Sequence, residues 1–186
     1  VEVAGKTVPK GKPAAAITAG MAMVPEDRKV NGVVLSMSVL DNGSLPRLSS
    51  FDVAGWLRNK ARSEAVSSAM DSVRLRSRGL GQSVGTLSGG NQQKVVLARE
   101  LSRELRLFVA SQPTRGIDVG SIEFVHKRIV ATRDSGVPVI VVSSELDEVA
   151  ALADRIAVMY RGTIVGIVPA QTSREVLGMM MGGEHD

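Results

Sequence analysis

Apolar positions along the chain recur with two different spacings, and the switches between them outline the elements. Residues 1–8 alternate apolar and polar, which predicts a strand, and Pro9 and Pro13 then mark a turn. A short helix is expected over 14–20 and a short strand over 21–25, running into the charged cluster Glu26-Asp27-Arg28-Lys29. From 36 to 85 the spacing turns helical. Trp56, Leu57, Ala61, Ala65, Ala69 and Val73 recur at three- and four-residue steps, with a Gly/Pro/Ser-rich interruption over 42–50.

Gly89 and Gly90 open a strong helix with Val95, Leu97, Ala98 and Leu101 on its apolar positions. A short strand follows over 105–110. Ile122, Val125 and Ile129 mark a further amphipathic helix, supported by Glu123 and Lys127 one turn apart. The β-branched run over 137–142 reads as a strand buried on both faces. Residues 145–153 are helical, 156–160 and 163–168 form a hairpin about Arg161-Gly162, and 173–181 is a last helix. Buried strands alternating with helices predict an α/β fold with a parallel sheet, and the helical middle reads as an insertion. No internal repeat or low-complexity tract is present.

Composition narrows the function classes. The 186 residues suffice for a real core, and 44% hydrophobic with 23% charged is ordinary for a globular chain. Aromatics at 3% argue against a nucleic-acid module, which needs stacking rings. The absence of cysteine excludes disulfides and zinc–thiolate sites and fits a reducing compartment without proving it. No uncharged apolar run approaches the roughly 20 residues of a spanning helix; the longest, near 136–144 and 162–170, have strand length. The first residues lack both an initiator methionine and a signal-peptide core, so Val1 reads as something other than a natural start.

The formal charge is +4, with basic residues concentrated at Arg58, Lys60, Arg62, Arg74, Arg76 and Arg78. Two readings stand: a solvated helical face, or a patch for phosphate backbones or acidic lipid. His126 reads as solvated surface, His185 as part of a frayed tail, and Met179, Met180 and Met181 as packing residues.

The chemistry concentrates in Leu87-Ser88-Gly89-Gly90-Asn91-Gln92-Gln93-Lys94. Two glycines at a helix start let a backbone approach an anion, and the unpaired N–H groups there bind phosphate. Alone, Ser88 reads as an ordinary N-cap. The order of motifs changes that. Upstream stand Val24-Pro25-Glu26-Asp27-Arg28-Lys29 and Gly32-Val33-Val34-Leu35. Downstream a strand runs into Gln112-Pro113-Thr114-Arg115-Gly116-Ile117-Asp118, followed by the strand at 137–142 and by Asp154-Arg155-Ile156. In this order and spacing the chain resembles, over essentially its whole length, the ATP-binding proteins of bacterial ABC importers for simple sugars and nucleosides.

The resemblance implies a RecA-like P-loop NTPase core with a mostly parallel sheet and an inserted helical signature subdomain. The core would occupy 1–33 and 104–186, the helical subdomain 34–103. Ser88, Gly89, Gly90 and Asn91 would reach across to the γ-phosphate of ATP on an opposite ATP-binding half. Glu26 stands where most relatives have the glutamine that senses magnesium and the membrane subunits, and Asp118 in the loop coupling the two halves. ATP and Mg2+ are the implied ligands. The implied partners are a second ATP-binding half, membrane permease subunits and, indirectly, a solute-binding protein; no nucleic acid is expected. The place is the cytoplasmic face of the bacterial inner membrane, peripherally.

Four departures qualify that picture. No Gly-x4-Gly-Lys-Ser/Thr loop occurs: Gly5-Lys6-Thr7 lacks the earlier glycine, and Gly5 and Gly11-Lys12 are separated by five residues with Pro13 after them. The chain therefore reads as a C-terminal ATP-binding half cut off before its phosphate-binding loop, incomplete at its N-terminus and inactive alone. Ser111 replaces the aspartate that helps hold magnesium, and Gln112 replaces the general-base glutamate. Losing a general base typically costs about 10²–10⁴-fold. Ser144 stands where relatives have a histidine facing the γ-phosphate, and with Asp147 it also fits a capping box.

Its own hydrolytic site therefore reads as degenerate while its signature is intact. Two alternatives remain: a catalytically inactive interaction module, or an ABC ATPase acting on nucleic acid, for which 36–85 is short and lacks heptads. Ser111-Gln112 resembles the nucleoside branch more than the ribose branch.

Overall fold

The computed structural model describes residues 1–183, so His185 lies outside the described residues. The chain divides into two compact units, one over Val1–Ile140 and a second from Val141 onward.

The first unit opens with β1 (Glu2–Val3) and β2 (Lys6–Thr7), an antiparallel hairpin where one strand was expected. Ala4 and Gly5 at its tip have φ of 48° and 76°, the left-handed pair that reverses a chain in two residues. Helix α1 (Pro13–Thr18) has proline in its first turn, where the missing N–H costs nothing. Strand β3 (Met21–Val24) then runs parallel to β6 (Leu107–Ser111), Met21 opposite Leu107 and Val24 opposite Ala110. β7 (Val139–Val142) stands next to β6 in the sheet order. Residues at alternate positions of β6, Phe108 and Ala110, are fully buried. Burial of β7 on both faces is not found: Ile140 and Val142 are half exposed.

Between β3 and β6 lie α2 (Val39–Ser44), a 3₁₀ stretch (Leu45–Phe51), α3 (Asn59–Ser72) and α4 (Gly89–Leu101). Two expectations fail here. Trp56 and Leu57 do not continue a helix but form β5 (Trp56–Leu57), paired with β4 (Asp52–Val53) across Ala54 and Gly55, again both at positive φ. Asn42 does not interrupt a helix; it is fully buried inside α2. Its amide oxygen accepts from the Val34 N–H at 2.8 Å and its amide nitrogen donates to the Val34 and Ser38 carbonyls at 3.0 and 3.1 Å. Full pairing is what makes a buried amide tolerable.

Arg62 overturns the solvated-face reading at its position. It is 8% exposed, pairs with Asp41 and donates its Nε to Ser44 Oγ at 2.8 Å. The core itself is built mainly of valine. Val39, Val66, Val73, Val84, Val95, Val96 and Val125 are fully buried with Leu97 and Phe108, a β-branched interior consistent with so few aromatics. Helix α5 (Val119–Asp134) buries Val125 and Ile129, and His126 beside them is half-buried rather than solvated.

The second unit has a core of its own. β8 (Arg155–Tyr160) and β9 (Thr163–Pro169) form the expected hairpin about Arg161 and Gly162, both at positive φ. Ile156, Val158 and Leu177 pack with Val149, Val165 and Met180, drawing α6 (Leu146–Leu152) and α7 (Arg174–Gly182) onto it. Of the three methionines, Met180 packs while Met179 and Met181 are exposed. Among the described residues no helix is long and apolar enough to cross a membrane.

Candidate functional site

Ser88 ends an extended stretch and caps α4: its Oγ accepts from the Asn91 N–H at 3.4 Å and from the Asn91 side-chain amide at 3.0 Å. The cap satisfies one orphan donor at the positive dipole end of a thirteen-residue helix, and Ser88 itself is exposed. The adjoining glycines lie close against other parts of the chain, Gly90 most tightly. A Cβ on Gly89 would lie 2.7 Å from Arg28 Nη2 and 3.2 Å from the Gly116 carbonyl oxygen. One on Gly90 would lie 2.1 Å from Ser121 Oγ and 2.8 Å from Asp118 Oδ2.

The loop that meets these glycines follows β6. Ser111 closes the strand and Gln112 takes a left-handed φ of 46°, its carbonyl accepting from the Arg115 N–H at 3.1 Å. Both are half-buried. The next carbonyls are held from outside the loop. Pro113 accepts from the buried Gln93 amide at 2.7 Å, Arg115 from Arg28 Nη1 at 2.7 Å, and Gly116 from Arg28 Nη2 at 2.8 Å. Glu26, exposed at the end of β3, pairs with the Arg115 guanidinium.

Asp118 terminates the loop as the N-cap of α5, accepting from the Ser121 N–H at 3.0 Å and Ser121 Oγ at 2.8 Å. The Ser121 hydroxyl, and then its N–H, hold the Asp118 carboxyl below the usual carboxylate range. On the flank of α4, Lys94 donates to the Arg74 carbonyl at 3.1 Å and lies 4.8 Å from the Phe124 ring centroid. Burial and the neighbouring Arg76 push its ammonium below the usual lysine range.

Of the residues named from sequence, Ser88–Asn91, Glu26, Ser111, Gln112 and Asp118 lie in the first unit. There Gly89 and Gly90 are brought against the Gly116–Asp118 loop. Ser144 lies in the second unit, directly before the N-cap of α6. The helix begins one residue later, with Glu145 at the N-cap and Ser143 Oγ accepting the Glu145 N–H at 3.0 Å. Among the described residues no group of three or more His, Asp or Glu could hold a metal. Sequence reasoning missed Gln93, Arg28, Arg115 and Ser121 as site residues. The charged run 26–29 was the available signal, but nothing local says which loop a guanidinium reaches.

The ABC transporter family model matches residues 1–115. The chain belongs to the ABC transporter family. As an ABC protein it is 41% identical over 98% of its length to the nucleoside import ATP-binding protein NupA of Lactococcus lactis subsp. cremoris. It is 42% identical over 89% to the ribose import ATP-binding protein RbsA of Rhodococcus jostii. The chain spans 37% and 33% of those relatives' lengths. A dimeric post-hydrolysis state of the ATP-binding cassette MJ0796 bound to ADP and Pi matches 83% of this chain and 64% of that one, with a TM-score of 0.67 and 21% identity. The fold is thus the RecA-like P-loop NTPase core with a parallel sheet and an inserted helical subdomain. The reading as a truncated C-terminal half is corrected. Relatives align over 98–99% of the chain, which supports an ABC transporter ATP-binding protein related to sugar and nucleoside importers.

Proposed function

We propose that this chain acts within the ATP-binding, energy-coupling subunit of a bacterial ABC importer for sugars or nucleosides. The observation that carries the reading is the start of α4, capped by the exposed Ser88, whose glycines are backed by the loop bearing Asp118. A helix N-terminus with an exposed serine hydroxyl is suited to a phosphate presented from outside the chain. Ser88, Gly89, Gly90 and Asn91 would meet the γ-phosphate of MgATP bound to a second ATP-binding domain. Binding would close the two domains, and the motion would pass to permease subunits at the cytoplasmic face of the membrane, with a solute-binding protein upstream. Glu26 and Asp118 would lie on that coupling path.

In this proposal the chain's own hydrolytic positions are degenerate. Ser111 lacks the charge that helps hold magnesium, and Gln112 can orient a water but not accept its proton. Ser144, assigned by sequence order alone, lacks an imidazole. The segments 1–33, 34–103 and 104–186 would be core, helical subdomain and core. Nucleoside transport is favoured over ribose by Ser111-Gln112.

The test is steady-state ATPase of the reconstituted transporter carrying Ser88→Arg. A bulky cation at the helix start should block the phosphate contact and abolish turnover. Retention of most activity would show that residues 88–91 do not serve an opposite site.

A further inference from the structure

Arg28 ties three segments together that are remote in sequence. It opens the π-helical turn Arg28–Gly32, which Asp27 caps by accepting the Lys29 and Val30 N–H groups at 2.9 and 3.1 Å. That turn is seated on α4, since a Cβ on Gly32 would lie 3.3 Å from Val96 Cγ2. From there the guanidinium extends to the loop after β6, its two terminal nitrogens each donating to one of two successive carbonyls, Arg115 and Gly116. Nη2 also fills the space that a Cβ on Gly89 would need. The Nε–H is buried without a partner, so the group is held by its terminal fork alone.

We propose that Arg28 is a positioning residue: its planar fork sets the Ser88-Gly89-Gly90 turn against the loop ending in Asp118, so that the two move as one block. This rests on the reading that the turn meets a phosphate from outside. The chemistry requires arginine. A lysine ammonium keeps the charge but cannot present two parallel donors to adjacent carbonyls in fixed geometry. The exposed Glu26–Arg115 pair lies on the same loop but is screened by solvent, so it adds little to the fork.

The experiment uses the full-length protein with Arg28→Lys and Arg28→Ala, read in two ways. Hydrogen exchange at the Arg115 and Ile117 amides should accelerate about tenfold or more in Arg28→Lys, with the Val95–Ala98 amides unchanged as the control for global stability. In the assembled ATPase, kcat should fall about tenfold or more with KM for ATP within about twofold, since misplacing a contact by a fraction of an ångström acts on the transition state rather than on binding. Low-millimolar guanidinium should restore part of the Arg28→Ala loss. Unchanged exchange at Arg115 and Ile117, or a kcat above half of wild type, overturns the proposal. So does a rise in KM with kcat intact. A wild-type assembly without ATP turnover sinks the transport reading instead, and the exchange data then decide the role of Arg28 by themselves.

Discussion

The buried side-chain amide of Gln93 donates a 2.7 Å hydrogen bond to the carbonyl of Pro113, joining the second turn of α4 to the loop that follows β6. Gln93 is 2% exposed, so neither group has water to fall back on. Gln93→Leu should cost about 1–3 kcal/mol, the range for a buried acceptor left unpaired. Urea denaturation of the two proteins measures it, and a change below a few tenths of a kcal/mol would mean the loop finds another donor.

Gly90 faces Ser121 and Asp118 with no room for a methyl group. Gly90→Ala should destabilise by about 1–3 kcal/mol through forced displacement of the α5 N-cap. Adding Ser121→Ala should recover only part of the loss, because the Ser121 Cβ itself stands 2.9 Å from the new methyl position. The double-variant cycle in thermal unfolding checks this; full additivity would exclude the contact.

Asp41 gives a pH dependence with a definite sign. Hydrogen bonding from Ser38, then from Arg62, holds its carboxyl below the usual range. A depressed folded-state pKa contributes stability above the unfolded value, near about pH 4, and loses it as pH falls through the folded value. Asp41→Asn should therefore unfold at lower denaturant than wild type at pH 7, and the gap should close as the pH falls below about 4. A gap that is constant with pH would show that the carboxylate charge is not what matters.

Gln112 allows a test of the proposed degeneracy. If that position carries no general base, Gln112→Ala should change turnover of the assembled transporter by less than about threefold. The glutamate-to-glutamine change at the matching position of the second ATP-binding domain should cost about 10²-fold or more. Loss of most activity in Gln112→Ala would instead assign glutamine a role in orienting the attacking water. On stability, Gln112→Val should cost more than about 1 kcal/mol, because a β-branched residue is poorly suited to the left-handed φ of 46°.

What was legible in the sequence is local. The hairpin about Arg161-Gly162 and the helix capped by Ser173 were readable because turn geometry and capping are set by neighbours in the chain. The start of α4 was readable for the same reason, and the order of motifs carried the family. The same local rules misled at two-residue turns. Ala4 and Ala54 take left-handed φ although nothing in an alanine advertises it, so one expected strand and part of one expected helix are hairpins.

The tertiary structure alone decided which polar side chains serve as ties. Arg62 shares its sequence pattern with the exposed Arg58 and Lys60, yet Asp41 and Ser44, about twenty positions away, draw it into the interior. Gln93 and Arg28 find carbonyls 20 and 87–88 residues distant. Periodicity records whether a position faces in or out, because burial of apolar area is non-directional and summed over a face. A hydrogen bond depends on one donor meeting one acceptor within a few tenths of an ångström, and that meeting exists only once the remote segments have packed.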